Sequence, residues 1–583
     1  MVNITINGKA VEVEEGTTIL NAAKKVNVKI PTLCYNPDLP PWASCGICIV
    51  RMAGSPRMVR ACTTPCENNM NIITHDPEII AVRRTVLELI LSNHPNDCLQ
   101  CPRNGSCELQ TLAEEFGIRE APYKKVMNSL PIDDSSPAIV LNPDKCIRCG
   151  RCVKVCQEVQ NVWALEFLGR GIKGKIASAA DAPLGESPCI KCGQCAAHCP
   201  VGAIYERDDT LKVWNALQNP DLHPVVQIAP AVRVALAEEF GLEPGSIITK
   251  KIYAALRRLG FKTVFDTNFS ADLTIMEEGT ELVKRLTEKG SDIPLITSCC
   301  PAWVDYMEKY YADMIPNFST AKSPQQMMGA MIKAYWAGKA GLDPAKVYSV
   351  SVMPCTAKKA ETRRNDDMKS AGAGYDVDIV LTTRELARMI KQAGIEVLKL
   401  PDEEADNPLG PYTGAGTIFG VTGGVMEAAV RSAYYLVTKK ELADVNFTSA
   451  RGLEGVKEAE VDFGNGTKIR IAVAHQMGNI AAVLDKIREA RASGKESPYQ
   501  FVEVMACRGG CIAGGGQPYG CTDDVRSRRT AGIYKDDVQS KYRCSHQNPF
   551  IKQVYDEFLG EPAGHKAHQL LHTKYVEREL YVK

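Results

Sequence analysis

Residues 505–518 read Met-Ala-Cys-Arg-Gly-Gly-Cys-Ile-Ala-Gly-Gly-Gly-Gln-Pro, placing Cys507 and Cys511 in a glycine-rich loop far beyond the chain's regular cysteine runs. A further ferredoxin-type cluster would need two more close cysteines after them, and no such pair follows. Two earlier loops can supply the missing thiols, TSCCPAW at 297–303 and MPCTAKK at 353–359. Cys300, Cys355, Cys507 and Cys511 can then hold one cubane cluster, with the glycines letting the backbone approach an inorganic group closely. Successive side chains of an extended stretch point to opposite sides. Of the adjacent Cys299 and Cys300, one therefore serves the cluster and the other is left for different chemistry; a core thiol or a vicinal disulfide is the bland alternative.

These loops lie in a region from 209 to 583 where helical patterns alternate with the β-rich runs VVQIA, VYSVSVM, VDIVLT and IRIAVA. That texture predicts an α/β domain large enough for two lobes. GAGTIFGVTGG at 414–424 lacks the GxGxxG spacing, so a nucleotide fold is rejected there. The chain has 583 residues, 45% hydrophobic and 24% charged, with 69 Lys plus Arg against 69 Asp plus Glu. Balanced charge gives no reason to expect nucleic acid as a partner, no apolar run suits membrane insertion, and the start lacks a signal-peptide core, so a cytoplasmic location is expected. The 23 cysteines, grouped in tight runs, favour metal or cluster ligation over disulfide staples.

Before residue 209 the cysteines fall in three groups. Residues 2–13 alternate around Asn7-Gly8 as a hairpin, Thr17 or Thr18 can cap a helix ILNAAKKV, and Cys34, Cys45, Cys48 and Cys62 follow. This segment, 1–78, resembles a plant-type 2Fe-2S ferredoxin of the β-grasp kind, with Cys66 a bystander. Its first cysteine spacing is similar to that in complex I and hydrogenase domains. Residues 79–118 open with a helical pattern at 79–92 and carry His94, Cys98, Cys101 and Cys107, which could bind zinc or a 4Fe-4S cluster. The equivalent segment of complex I and of hydrogenases carries a 4Fe-4S cluster, and that resemblance favours iron. Residues 137–208 hold two CxxCxxCxxxC runs, Cys146, Cys149, Cys152 and Cys156, then Cys189, Cys192, Cys195 and Cys199. Two-cluster ferredoxins exchange their fourth ligands, so one set is Cys146, Cys149, Cys152 and Cys199, and the other Cys189, Cys192, Cys195 and Cys156. Gln157 stands where proline is usual.

With all three late loops and this order of accessory segments, the chain resembles an iron-only (FeFe) hydrogenase of the multi-cluster type. The resemblance implies a multidomain α+β and α/β protein with one 2Fe-2S cluster, three accessory 4Fe-4S clusters and an H-cluster. It implies that Cys300, Cys355, Cys507 and Cys511 bind the H-cluster cubane. Cys511 then bridges to a diiron unit carrying CO, cyanide and an azadithiolate. It implies a pocket of Ala229, Pro230, Ser298, Gln325, Met353, Pro354, Phe419 and Met505, with Lys358 donating to a cyanide. It implies a proton path through Cys299, Glu278, Ser319, Glu281 and Arg285; Glu278 and Glu281 are i and i+3 on one helix face, whose bland alternative is a solvated face. Cys521 and Cys544 match no role. The reaction implied is reversible interconversion of H2 with protons and electrons, and maturation proteins must build the diiron unit. Expected partners are ferredoxin and flavin- or NAD(P)-binding subunits of an electron-bifurcating complex. The alternatives are a stand-alone ferredoxin-dependent enzyme or a non-catalytic Narf-like iron–sulfur protein.

Overall fold

The computed structural model describes residues 1–127, 129–288, 290–462 and 468–582. Its contacts divide it into two compact units: 1–159 with 163–187 and 198–205, and 160–162 with 188–197 and 206–583.

In the first unit, strands β1 (Val2–Ile6) and β2 (Lys9–Val13) pair antiparallel across Asn7 and Gly8, both at positive φ as a tight hairpin turn requires. They join β3 (Ile49–Met52), β4 (Met58–Arg60) and β5 (Asn71–Ile73) in a five-stranded sheet of order β2-β1-β5-β3-β4. The alternation Val2, Ile4, Ile6 puts each on the buried face, against Ile19, Leu20, Ala22 and Ala23 of helix α1 (Ile19–Lys25). Thr18 caps that helix by accepting the Asn21 N–H. Helix α2 (Pro77–Ser92) begins with an Asp76 cap and proline in its first turn, and α3 (Glu108–Glu115) follows directly on Cys107.

The second unit is built on two four-stranded sheets. In one, β7 (Thr263–Asp266), β6 (His223–Ile228), β9 (Val347–Met353) and β10 (Ile379–Thr382) lie side by side, all parallel. In the other, β8 (Leu295–Ile296), β13 (Phe501–Met505) and β12 (Lys468–His475) are parallel, and β11 (Val456–Asp462) pairs antiparallel at the edge. The four β-rich runs of the sequence all form strands. The β9 and β13 interiors are buried throughout, as strands covered on both faces must be. Helix α4 (Thr267–Thr287) starts at Asp266, whose carboxylate accepts the Asn268 N–H and a two-pronged bond from buried Arg233 at 2.8–2.9 Å. That ion pair fixes the segment after β6 against the start of α4. Helices α5 (Pro301–Tyr310), α6 (Pro324–Met331) and α7 (Gly424–Thr438) complete the surroundings of the site. Among the described residues no helix is long and apolar enough to cross a membrane.

Candidate active site

The three cysteine loops leave the C-terminal ends of parallel strands β8, β9 and β13, the end at which α/β sheets generally form their crevices. Cys300 has extended backbone and stands at the N-cap of α5, where the backbone N–H groups of Ala506, Trp303 and Ala302 favour its thiolate. Cys355 likewise accepts from Ala357 and Lys358 at the start of a short helix. Burial pushes all four thiols up, Cys355 to about 12, and Cys355, Cys507 and Cys511 each lie close enough to others of the set to be raised further. A convergence of four thiols, Cys355 and Cys507 buried and Cys300 and Cys511 half-buried, with backbone donors at Cys300 and Cys355 that favour the thiolate, suits a bound cation or cluster and disfavours free sulfhydryls.

Beside them is a cavity of about 70 Å³, lined by Ala229, Pro230, Ala231, Thr267, Cys299, Pro324, Gln325, Met353, Pro354, Cys355, Lys358, Phe419, Gly420 and Cys511. That exceeds the room a single water needs. Six of the eight expected pocket residues line it. Ser298 and Met505 do not: the Ser298 hydroxyl donates to the Ala321 carbonyl, and Met505 backs the third loop. A Cβ on Gly510 would lie 2.6 Å from the Thr422 nitrogen and 2.9 Å from the Met505 sulfur, so only glycine fits there, at φ 97°. Cys299 faces the cavity while Cys300 faces the other thiols, as the alternation of an extended stretch requires.

Lys358 reaches the same cavity. Its ammonium donates to the Cys299 carbonyl and to Glu361, each at 3.0 Å. Burial pulls this ammonium down, but Glu361 and the neighbouring thiols outweigh it and the group stays charged. Glu361 also accepts from Gln325 at 3.0 Å, and Gln325 accepts from Ser351 at 2.8 Å. Glu361 was legible only as an acidic residue three after Lys358 in the same short helix.

On the far side of Cys299, helix α4 carries Glu278 and Glu281. Glu278 is 1% exposed and neither carboxyl oxygen has a hydrogen-bond partner, so burial pushes it up to about 8. The bland reading of this face as solvated does not hold. Burial, then Glu278 itself, also pushes the Cys299 thiol well above its ordinary value. The Ser319 hydroxyl donates to Glu281 at 3.2 Å, and Arg285 pairs with Glu281 at 2.6 Å. The five expected proton-path residues thus form a run from the cavity wall to a partly exposed arginine.

Family models match nearly the whole chain: "Iron only hydrogenase large subunit, C-terminal domain" at 222–515 and "Iron hydrogenase small subunit" at 523–578. Before them come a "2Fe-2S iron-sulfur cluster binding domain" at 1–77, an "NADH-ubiquinone oxidoreductase-G iron-sulfur binding region" at 83–122 and a "4Fe-4S dicluster domain" at 145–203. NADP-reducing hydrogenase subunit HndD of Solidesulfovibrio fructosivorans is 47% identical over 99% of both chains. The chain belongs to the iron-only hydrogenase family. Iron hydrogenase 1 of Clostridium pasteurianum is 40% identical over 99% of this chain and 100% of its own. The solved FeFe-hydrogenase HydA1 of Chlamydomonas reinhardtii matches at 42% identity and a TM-score of 0.57, over 64% of this chain and all of its own. The protein is therefore an iron-only hydrogenase, an oxidoreductase acting on H2, with 2Fe-2S and 4Fe-4S domains ahead of its catalytic domain.

The hydrogenase's accessory thiols are gathered in similar ways. Cys34 shares a hydrogen bond with Cys45, and Cys48 with Cys62, while Cys34 also acts on Cys48 and Cys62. Cys66 is raised by burial alone, apart from this set. The buried Nε2 of His94 has no partner, and its Nδ1 meets the Asn96 side chain at 3.3 Å, the outer-partner arrangement of a ligating histidine. His94, Cys98 and Cys107 border one cavity, and Cys101 acts on Cys107. The two ferredoxin runs repeat in backbone as well as in sequence. Arg148 and Lys191 both take positive φ and donate to Cys146 and Cys189 at 3.3 and 3.4 Å, and Gly150 and Gly193 follow at φ 79° and 73°. Cys146, Cys149, Cys152 and Cys199 border a common small cavity, the combination a fourth-ligand exchange requires.

Two polar residues near these loops carried no signal in the sequence. Arg151 pairs with Glu108 at 2.6–2.8 Å and donates to the Tyr35 and His198 carbonyls, so one guanidinium touches segments beside Cys34, Cys107 and Cys199. Gln194 donates to the Cys507 sulfur at 3.2 Å and to the Ala513 carbonyl at 3.1 Å.

Proposed function

We propose that this hydrogenase is the H2-converting subunit of a larger complex that exchanges electrons with ferredoxin and with flavin- and NAD(P)-binding subunits. The observation that carries this reading is the end-to-end match to a relative whose own name makes it a subunit that reduces NADP. The end-to-end match to Iron hydrogenase 1 supports the second reading, an enzyme that works alone with ferredoxin. Proteins named for cytosolic iron–sulfur assembly match at 29–32% identity over 60% of the chain and do not displace the enzymatic reading.

Cys300, Cys355, Cys507 and Cys511 would hold the H-cluster cubane, with the adjoining cavity taking its diiron part. The fit rests on four converging thiols, a cavity with one charged donor, and a glycine loop that closes on it. When bound, that group supplies the metal chemistry that splits or forms H2. Lys358 would place its positive charge against the anionic ligands. Cys299, kept protonated by burial, would pass protons between cavity and Glu278. Glu278, with an affinity close to neutral pH, can take and release them, and Ser319, Glu281 and Arg285 would continue the path outward. The four sets of accessory ligands would hold one 2Fe-2S and three 4Fe-4S clusters.

Infrared spectroscopy of the anaerobically matured chain tests the active-site part: bands of metal-bound CO and cyanide that shift under H2 are expected, and their absence with intact accessory clusters would overturn it. The complex is tested by offering H2 and NAD(P) to the purified chain. No reduction is expected until flavin-containing partners are added. Full ferredoxin turnover by the isolated chain, with no partner retained on purification from its native source, would favour the stand-alone reading.

A further inference from the structure

We propose that Glu441, Cys544 and His546 form a mononuclear site for a borderline divalent cation, zinc by the chemistry of the ligands. It would tie the segment after α7 to the C-terminal part of the catalytic unit. A carboxylate oxygen, the thiol sulfur and an imidazole nitrogen from these residues all lie within 4.8 Å of one another. Tetrahedral zinc with a bond to sulfur near 2.3 Å and to nitrogen or oxygen near 2.0 Å needs ligand atoms roughly 3.3–3.7 Å apart. The His546 Nε2 already lies 3.1 and 3.2 Å from the two Glu441 oxygens, so only the sulfur must close, by about 1.5 Å at most.

The rival reading is an ordinary His–Glu ion pair beside an inert thiol. The surroundings favour a site, because each would-be ligand is held by an outer partner. His546 stacks on Tyr435 with centroids 4.2 Å apart and planes 3° from parallel, and its Nδ1 meets the Ser432 hydroxyl at 3.2 Å. The ring therefore presents Nε2 to Glu441. Gln547 donates its side-chain amide to Glu441 at 3.1 Å, and its backbone N–H goes to the Cys544 sulfur. A thiolate and a carboxylate cancel a dication, while the nearby Arg431 and Arg543 are already paired with Asp537. One soft, one intermediate and one hard donor together suit zinc better than calcium or magnesium. The fourth position falls to water on the exposed Glu441 side.

The test uses the full chain with its iron–sulfur clusters, given one equivalent of Zn2+ and then freed of loosely bound metal. About one zinc per chain is expected, with an X-ray absorption signature of one sulfur near 2.3 Å and the rest nitrogen or oxygen. Cys544→Ser and His546→Ala should each weaken zinc retention roughly tenfold or more, with iron content and H2 oxidation unchanged. Glu441→Gln, at the surface, gives the same readout if the His546 variant fails to fold. Substoichiometric zinc in the wild type overturns the proposal. So does zinc retention indifferent to all three changes, or a signature of three or four sulfurs, which would place the metal in the accessory cysteine loops.

Discussion

Glu278→Gln isolates the most perturbed carboxyl on the proposed proton path. In the folded chain Glu278 titrates at about 8 because burial disfavours its charge, against about 4.3 when exposed. Between those values the folded state holds a proton that the unfolded state has released, so rising pH favours unfolding. The loss is about 1.4 kcal/mol per pH unit, amounting to roughly 1 kcal/mol by pH 5, about 3–4 by pH 7, and a plateau near 5 above pH 8. Below pH 4 the group contributes nothing either way. Glutamine keeps the shape and cannot ionise, and since neither Glu278 oxygen is hydrogen-bonded it forfeits no bond. Thermal scans at a fixed rate should therefore show the variant gaining on the wild type steadily from pH 5 to pH 8. Infrared difference spectra should show a protonated carboxyl band that bleaches near pH 8 in the wild type alone. The variant should lose roughly 10²- to 10⁴-fold in H2 oxidation, the usual contribution of a positioned acid–base group. A carboxyl band bleaching near pH 4.5, or a pH-independent gap between the two proteins, would refute the burial argument. Full activity in the variant would refute the path.

Cys66→Ser should leave the 2Fe-2S electron paramagnetic resonance signal in place, whereas serine at Cys34, Cys45, Cys48 or Cys62 should abolish or shift it; loss of the signal in Cys66→Ser would make Cys66 a ligand. Gln194→Leu removes the N–H donor to the Cys507 sulfur, which favours the reduced, more negative cluster, so the potential of that cluster should fall by on the order of tens of millivolts in redox titration. Arg151→Leu withdraws one buried positive charge that acts on Cys34, Cys149 and Cys199, so two different accessory clusters should shift to lower potential together. A shift confined to one cluster would contradict the shared contact. Gly515→Ala puts a Cβ 2.5 Å from the Cys192 carbonyl. It should slow ferredoxin-linked turnover more than turnover with a small dye that reaches the active site directly.

Sequence alone carried the elements whose signal is local. The Asn7-Gly8 hairpin, the Thr18 cap, α2 and the four β-rich runs each follow from a few neighbouring residues. The cysteine sets were legible because their spacing is itself a constraint on a bound group. The order of strands in the two four-stranded sheets was not, since every parallel pairing joins segments distant in sequence. Gln194, Arg151, Glu361 and Glu503 escaped for a related reason: a single polar residue has no pattern until its partner is known. Glu503 shows this well. From the middle of β13 it accepts the Gly423 and Met426 N–H groups at 2.6 and 2.7 Å, so it caps α7 from another strand. The glycines at 414–424 had been separated from a phosphate loop by spacing. The structure supplies their use, because a side chain at Gly416 would strike the Asn268 carbonyl of α4.

The placement of residues 188–197 in the catalytic unit bears on how electrons arrive. Gly193 lies against the Thr356 side chain and Gly515, and Gly515 lies against the Cys192 carbonyl, so this loop meets a side chain of the second cysteine loop and the backbone of the third. Thr356 donates to the Lys191 carbonyl at 2.8 Å, and Lys191 pairs with Asp305 of α5 at 2.5 Å. The second and third cysteine loops and helix α5, which follows the first, therefore brace the segment that carries Cys189, Cys192 and Cys195. Electron transfer falls steeply with distance, and a hinge between donor and acceptor would make its rate depend on domain motion. Building Cys189, Cys192 and Cys195 into the same compact unit as Cys507 removes that dependence. It also explains why glycine, with no side chain to hold the loops apart, stands at both 193 and 515.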